Sequence, residues 1–211
     1  MRKILLCAGL LFAGSVYGSG IEFWFVAGQT LISNPGLGTD DCPAGEGITD
    51  QQCLAIGALP NDIALTDGFH FGFRGGFNSG DHLGYEMGYM YNRTNLKINN
   101  AGGQEQGMAY HQVFFNGLWH FTGPDAKVRP FATAGVGFVN YAPPGSSAAY
   151  GGGSTRLGID YGGGVKVKLT DRWGLRFDVR QVTTPKPNLG LLLTSGWLRE
   201  TELSAGVGIF F

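Results

Sequence analysis

The segment DGFHFGFRGGFN, residues Asp67–Asn78, decides the fold because its side chains alternate between two classes. Every second residue from Phe69 to Phe73, and then Phe77, is phenylalanine, whereas the other parity carries glycine, histidine and Arg74. Successive side chains of a β-strand point to opposite faces. The pattern therefore predicts a strand with one aromatic face and one face that is small or charged.

The same period of two runs through seven further segments, each 11 to 15 residues long. Strands of globular proteins usually have about 5–6 residues, whereas strands that cross a bilayer need about 9–11. The lengths therefore favour membrane-spanning strands. The seven segments are Ile21–Ile32, His82–Asn92, Gly107–Phe121, Val128–Tyr141, Thr155–Leu169, Trp173–Thr183 and Trp197–Phe211.

The composition excludes several other classes of protein. The chain has 211 residues, of which 37 are glycine, only 15% are charged and 13% are aromatic, so it is unlike a disordered chain. No apolar run approaches the roughly 18 residues of a membrane helix. The formal net charge is −1 and the basic residues do not cluster, so we expect no nucleic-acid partner.

The connections between the predicted strands alternate in length. Short turns at Ser79–Asp81, Thr122–Lys127 and Thr170–Arg172 alternate with longer connections. This arrangement predicts an all-β, eight-stranded antiparallel transmembrane β-barrel with short periplasmic turns and longer extracellular loops. The longer connections are Ser33–Thr66, Arg93–Gln106, Ala142–Ser154 and Thr184–Gly196.

The two faces predict which side of the barrel meets lipid. In a soluble barrel the apolar face would point inward, and the charged face would meet water. Here the polar face carries most of the strand glycines and charges, which suits a narrow lumen, while the apolar face would form a large sticky surface in water. We therefore expect the apolar side chains to face outer-membrane lipid.

The N-terminus has the features of an export signal. Arg2 and Lys3 precede the apolar run Ile4–Ala13, and small residues follow. Cleavage is predicted after Gly18, with Gly20 as the alternative, so residues 1–18 would be a signal peptide and residues 19–211 the barrel domain.

Three stretches carry a resemblance to a known family: VRPFATAGVGF (Val128–Phe138), DRWGLRFDVR (Asp171–Arg180) and the terminal ELSAGVGIFF. Together with the strand pattern they make the chain resemble the small eight-stranded outer-membrane barrels of the OmpA/OmpX type. The resemblance implies an outer-membrane location in a Gram-negative-type bacterium. Because the chain stops at the last strand, we expect no periplasmic peptidoglycan-binding domain.

The resemblance also implies an assembly signal in the last strand. Members of this family typically end in phenylalanine, preceded by apolar residues at alternate positions, and the barrel-assembly machinery reads this pattern. The matching residues are Leu203, Ala205, Val207, Ile209 and Phe211.

The charged residues of the polar face predict a plugged lumen. If Gly80 is the centre of the hairpin, Arg74 lies opposite Glu86, and registers displaced by two residues also satisfy the alternation. We expect these two side chains to meet inside a charge network with members from other strands. The predicted members are Arg74, Glu86, Asp160, Lys166, Lys168, Arg176, Asp178, Arg180, Glu200 and Glu202.

The sequence offers no evident catalytic or metal site. His82 and His120 fall at the short turns, and no serine is spaced along one strand face with His70 or His111. Such a pair would be needed for a lipid A-modifying barrel enzyme. The acidic residues of the first long connection lack the spacing of a calcium loop. We therefore expect no enzyme activity, no metal and no cofactor.

Two functions remain open at this point. The first is a non-enzymatic envelope protein with a structural or surface-interaction role, which we expect to be a monomer and whose long loops could bind an extracellular ligand. The second is a narrow passive conduit for small or apolar solutes. Eight strands leave an interior about wide enough for side chains alone, which argues against a porin.

We predict that Cys42 and Cys53 form a disulfide, because they are the two cysteines of the exported chain and lie in one polar stretch. Closing so short a loop contributes about 2–3 kcal/mol to stability in the chain-entropy description. Thiol titration of protein purified without reductant should find no free thiol. Two free thiols would contradict the prediction.

Overall fold

The fold was analysed in a computed structural model of the chain. The structure describes residues 20–33, 35–38, 63–98, 104–142, 153–187 and 196–211. The predicted signal peptide and the Cys42–Cys53 disulfide lie outside these ranges. Within them, no helix is long and apolar enough to cross a membrane.

Eight long antiparallel strands form a closed barrel. In chain order, each long strand pairs with the next, and the first (Ile21–Ser33) pairs with both the second (Gly68–Ser79) and the last (Trp197–Phe210), which closes the ring. The long strands are β1 (Ile21–Ser33), β4 (Gly68–Ser79), β5 (Leu83–Ile98), β6 (Gln104–His120), β7 (Val128–Ala142), β8 (Ser154–Lys168), β9 (Trp173–Pro185) and β10 (Trp197–Phe210).

Two short strands extend the wall where the sequence predicted only a loop. β2 (Gly36–Gly38) pairs with β3 (Ile63–Leu65), and β3 pairs with the last residues of β5. The break between β3 and β4 is stabilised by side chains, because Asp67 accepts a hydrogen bond from the Ile32 amide at 2.7 Å. β5 and β6 also reach further than predicted, so most of the expected loop Arg93–Gln106 belongs to strands.

The alternation predicted from the sequence is present in every long strand. On β4, Phe69, Phe71 and Phe73 are 40–50% exposed on the outer surface, while Arg74 is 2% exposed in the lumen. The apolar outer surface continues around the ring and matches the lipid-facing side expected of a membrane barrel.

The register of the β4–β5 hairpin differs by two residues from the one centred on Gly80. Gly76, not Arg74, lies opposite Glu86, and Arg74 lies opposite Gly88. The reason is that the connection comprises residues 80–82, and its centre is Asp81. Gly80 has φ of 72°, a left-handed conformation that glycine adopts without strain. A shift of two residues preserves the face of every side chain.

The two ends of the barrel differ, and we call them the short-turn end and the long-loop end. The turns at 80–82, 121–127 and 169–172 lie at the short-turn end together with both ends of the described chain. Exposed aromatic side chains surround this end, as in the interfacial girdles of membrane barrels. They are Trp119, Phe121, Trp173 and Phe211.

The last strand closes the barrel beside the first. Leu203, Ala205 and Val207 point outward, and the Phe211 amide donates a hydrogen bond to the Ile21 carbonyl at 2.9 Å. The Phe211 side chain is 77% exposed and lies at the short-turn end. Its ring therefore contributes little buried area to the folded barrel.

We predict that deletion of Phe211 impairs assembly in cells more than stability. The exposed ring buries little area within the barrel, whereas the family resemblance assigns it to the assembly signal. Membrane fractions should contain less folded variant, while protein refolded in detergent should retain a β-barrel circular-dichroism spectrum. Deletion of the exposed turn residue Asp125 is the control. Normal assembly of the Phe211 deletion in cells would contradict the prediction.

Candidate functional site

The inward positions of the strands bring three arginines into the centre of the lumen. Arg74 comes from β4, while Arg176 and Arg180 come from β9, where the alternation places them on the same face. All three are no more than 3% exposed. Buried guanidinium groups need carboxylate partners, because an unpaired charge is strongly disfavoured away from water.

Two carboxylates supply most of this pairing. Glu86 of β5 accepts from Arg180 Nη2 at 2.6 Å and also pairs with Arg176 Nη1. Asp178 of β9 accepts from Arg74 Nη1 and Arg176 Nε, each at 2.7 Å, and from Arg180 Nε at 3.1 Å. Each arginine therefore contacts more than one carboxylate, as in a connected network rather than isolated pairs.

Two more carboxylates complete the group that we call the central network. Asp160 of β8 accepts from Arg180 Nη1 at 3.1 Å and also from the Asn116 side chain. Glu202 of β10 lies 3.9 Å from Arg74 Nη2. The central network consists of Arg74, Arg176, Arg180, Glu86, Asp160, Asp178 and Glu202.

Glycines make room for these side chains on the neighbouring strand. A Cβ added to Gly164 would lie 2.5 Å from the Asp178 Cβ, and one added to Gly162 would lie 2.8 Å from the Arg180 Cα. Both glycines point inward on β8 beside β9. The glycine string that the sequence places inside this strand therefore permits close packing in the lumen.

Lys166 lies outside the central network, nearer the short-turn end. Its ammonium group pairs with Glu22 of β1 and lies 5.9 Å and 5.3 Å from the ring centres of Trp24 and Phe131. Glu22 was not among the predicted network residues. The sequence does place Glu22 on the polar face of the first predicted strand. That strand alternates poorly, however, and the sequence does not indicate which basic residue Glu22 would contact.

Besides Lys166, two further predicted members do not join the central network. Lys168 pairs with the exposed Asp171 at 3.4 Å, because β8 ends there and the side chain reaches the turn. Glu200 accepts hydrogen bonds from Gln112 and Tyr141, each at 3.0 Å. In the described part of the chain, no basic group lies within ion-pair distance of Glu200.

An apolar block fills the lumen toward the long-loop end. Ten apolar and aromatic side chains from several strands and from β2 and β3 form one buried cluster. Sequence alternation could not predict it, because these residues occupy inward positions that are polar elsewhere in the lumen. The block consists of Leu37, Leu65, Leu96, Met108, Tyr110, Phe114, Val139, Tyr141, Val182 and Leu198.

The structure brings a serine to His70, contrary to the expectation from sequence. Ser204 Oγ of β10 lies 2.9 Å from Nε2, and Thr30 Oγ1 of β1 lies 2.9 Å from Nδ1. Thr30 in turn donates to Asn92 at 2.9 Å. The pair was missed because its members come from strands that are distant in sequence and adjacent to β1 in the ring.

We call the hydrogen-bonded residues Ser204, His70, Thr30 and Asn92 the histidine chain. It differs from a serine–histidine–acid triad in its third member. The group at Nδ1 is the neutral hydroxyl of Thr30, whereas a triad needs a carboxylate there to stabilise the charged imidazole. His70 and Ser204 are also buried, at 1% and 7% exposure. The histidine chain therefore links the four neighbouring strands β1, β4, β5 and β10 by side-chain hydrogen bonds inside the lumen.

The other histidines lie away from the lumen centre. His111 is on the outer surface, with Nδ1 2.7 Å from the Tyr89 hydroxyl. His82 is exposed and stacks on Trp119, and His120 is buried beside Lys166 at the short-turn end. Among the described residues, no three His, Cys, Asp or Glu side chains form a group suited to a metal ion.

A closed barrel with an apolar outer surface and a charged interior defines a membrane-spanning β-barrel. The sequence model of the outer membrane protein beta-barrel domain family matches residues 18–211, so the chain belongs to this family. The family places the protein in the outer membrane. Short turns are typical of the periplasmic side of such barrels. No curated protein sequence matches the chain.

Solved structures of similar fold are small outer-membrane barrels. Neisserial surface protein A is 18% identical, with a TM-score of 0.55, and the alignment covers 92% of this chain and all of that one (100%). OprG from Pseudomonas aeruginosa is 12% identical, with a TM-score of 0.52 and coverage of 92% and 96%. At these identities the likeness establishes the fold alone.

We predict that Glu86→Ala lowers the free energy of unfolding by about 3–5 kcal/mol, less if water enters the site, because it removes a carboxylate partner from the buried Arg176 and Arg180. Combining it with Arg180→Ala should cost less than the sum of the single changes. The coupling with Arg74 should be smaller, since Arg74 Nη1 is 3.9 Å from Glu86 and 2.7 Å from Asp178.

Urea unfolding in phospholipid vesicles, followed by tryptophan fluorescence, measures these couplings. The exposed Lys168–Asp171 pair serves as the matched control, and its double-mutant cycle should show little coupling. Additive effects of Glu86→Ala and Arg180→Ala would contradict the network.

Proposed function

We propose that the protein is a non-enzymatic, non-conducting outer-membrane barrel that anchors its long loops at the cell surface, in a structural or surface-interaction role. The observation that carries this proposal is the set of ion pairs across the lumen. β5 and β9 stand opposite each other in the ring of eight strands. Glu86 and Arg180 therefore bridge the full width of the interior.

The density of contacts supports a permanent plug. A solute that displaced Arg180 would have to break its contacts to Glu86, Asp160 and Asp178. Each of these carboxylates would then lose a positively charged partner. Separating opposite charges is costly in a site that is shielded from water. Thermal motion of one side chain therefore does not open a path.

The apolar block supports the same conclusion from the other end. Its Leu198, Tyr110 and Tyr141 side chains are fully buried at 0% exposure above the charged centre. A hydrated ion would have to shed its water to cross this layer, and an apolar solute would then meet the central network. The two layers thus oppose different classes of solute.

The histidine chain supports a non-enzymatic role. Ser204 lacks a carboxylate-oriented base, and the pair lies inside the lumen between the central network and the apolar block. The barrel is then a rigid support, and its function resides in the long-loop end. Its partners would be outer-membrane lipid, the barrel-assembly machinery and an extracellular ligand or surface, with the barrel acting as a monomer.

We predict that refolded protein adds no steady current to a planar bilayer. The variant Glu86→Ala/Arg176→Ala/Arg180→Ala should show openings once Tyr110→Ala and Tyr141→Ala are added, because the combination removes the side chains that bridge β5 and β9 and also thins the apolar block. Arg172→Ala, in an exposed turn, is the control for loss of an arginine. Steady ohmic current through the unaltered protein would support the conduit and overturn the plugged barrel.

Loop replacement separates a surface role from a role of the barrel itself. In a deletion strain, a barrel in which residues 39–62 and 143–152 are replaced by short Gly-Ser turns should insert normally but fail to restore surface adhesion. Full restoration by this variant would contradict a function carried by the loops.

A further inference from the structure

A small cavity of about 120 Å³ lies at the short-turn end of the lumen. Its charged lining consists of Arg129 of β7 with Lys166 and Lys168 of β8, and no carboxylate is part of the lining among the described residues. Asn78 and the Phe210 ring complete much of the wall. The central network and the histidine chain do not include any of these residues.

Arg129, which lines this cavity, has an unused hydrogen-bond donor. The side chain is 9% exposed, and its Nη2 donates to the Asp81 carbonyl at 3.3 Å. Its Nε is buried and has no acceptor among the described residues. A buried donor without a partner costs free energy, so an acceptor that enters the cavity would be bound favourably.

Arg129 makes no direct ion pair in the described part of the chain. Lys166 is matched by Glu22, and the half-exposed Lys168 contacts Asp171 at 3.4 Å. The carboxylates of Glu22 and Asp81 interact electrostatically with Arg129, but in the described part of the chain no carboxylate oxygen lies within ion-pair distance of its guanidinium group. The surface pair of Lys168 and Asp171 is weak, so Lys168 can turn toward an anion.

We propose that this cavity binds a phosphate-type oxyanion, held by the Arg129 guanidinium with Lys168 as a second cation. The fork of a guanidinium group matches phosphate oxygens, and an ammonium group adds a point charge. The girdle of Trp119, Phe121 and Trp173 puts the cavity at the level of the periplasmic headgroups. The phosphate can therefore come from a lipid headgroup or from a free anion.

Titration with inorganic phosphate in an uncharged detergent tests the site. The Arg129 Nε–H resonance, identified by its loss in Arg129→Gln, should shift and saturate as phosphate is added. Lys168→Gln, which alters a half-exposed side chain, should weaken phosphate binding by about tenfold, the equivalent of one charge-assisted hydrogen bond. Arg172→Gln, at the same end but outside the cavity, should change binding by less than about twofold.

Vesicles distinguish the two sources of phosphate. If a headgroup is the ligand, phosphatidylcholine vesicles containing phosphatidic acid should shift the Arg129 resonance, and inorganic phosphate should not reverse that shift. If a free anion is the ligand, inorganic phosphate should shift the Arg129 resonance in pure phosphatidylcholine vesicles by as much as it does in detergent. No shift with either probe, or equal weakening by Arg172→Gln and Lys168→Gln, would overturn the proposal.

Discussion

Backbone groups cannot remain unpaired in hydrocarbon, and the rest of this structure follows from that constraint. A sheet satisfies it only when the last strand returns to the first, as β10 does along β1 from Ser33 to Glu22. Closure with eight strands makes the interior narrow. Because side chains alternate along each strand, every second one faces lipid, and the others fill this interior.

The filling is ordered along the barrel axis. Trp24, Phe131 and Lys166 lie between the short-turn end and the central network, while the histidine chain and the apolar block lie on the other side. These layers keep water away from the central network. The attraction between its arginines and carboxylates is stronger for that reason. The same exclusion makes each missing partner costly, so the network is rigid only as a complete set.

The sequence predicted what depends on neighbours in the chain and missed what depends on contacts across the lumen. Parity is a local property, so the inward direction of Arg74, Glu86 and Arg180 could be derived from alternation. Register depends on the turn conformation, which is why the hairpin centre lies at Asp81 rather than Gly80. The Ser204–His70 contact, like the apolar block, arises from strands that the order of the ring brings together.

Because side chains alternate between lipid and the lumen, the outward and inward positions differ in how freely their residues can be substituted. An outward residue such as Phe73 or Val179 meets mainly fluid lipid chains, so another apolar side chain serves equally well there. An inward residue such as Asp178 must match the shape and charge of several partners at once. Sequences that share this architecture can therefore drift rapidly over half of every strand, and identities of 12–18% across the full barrel are compatible with one fold.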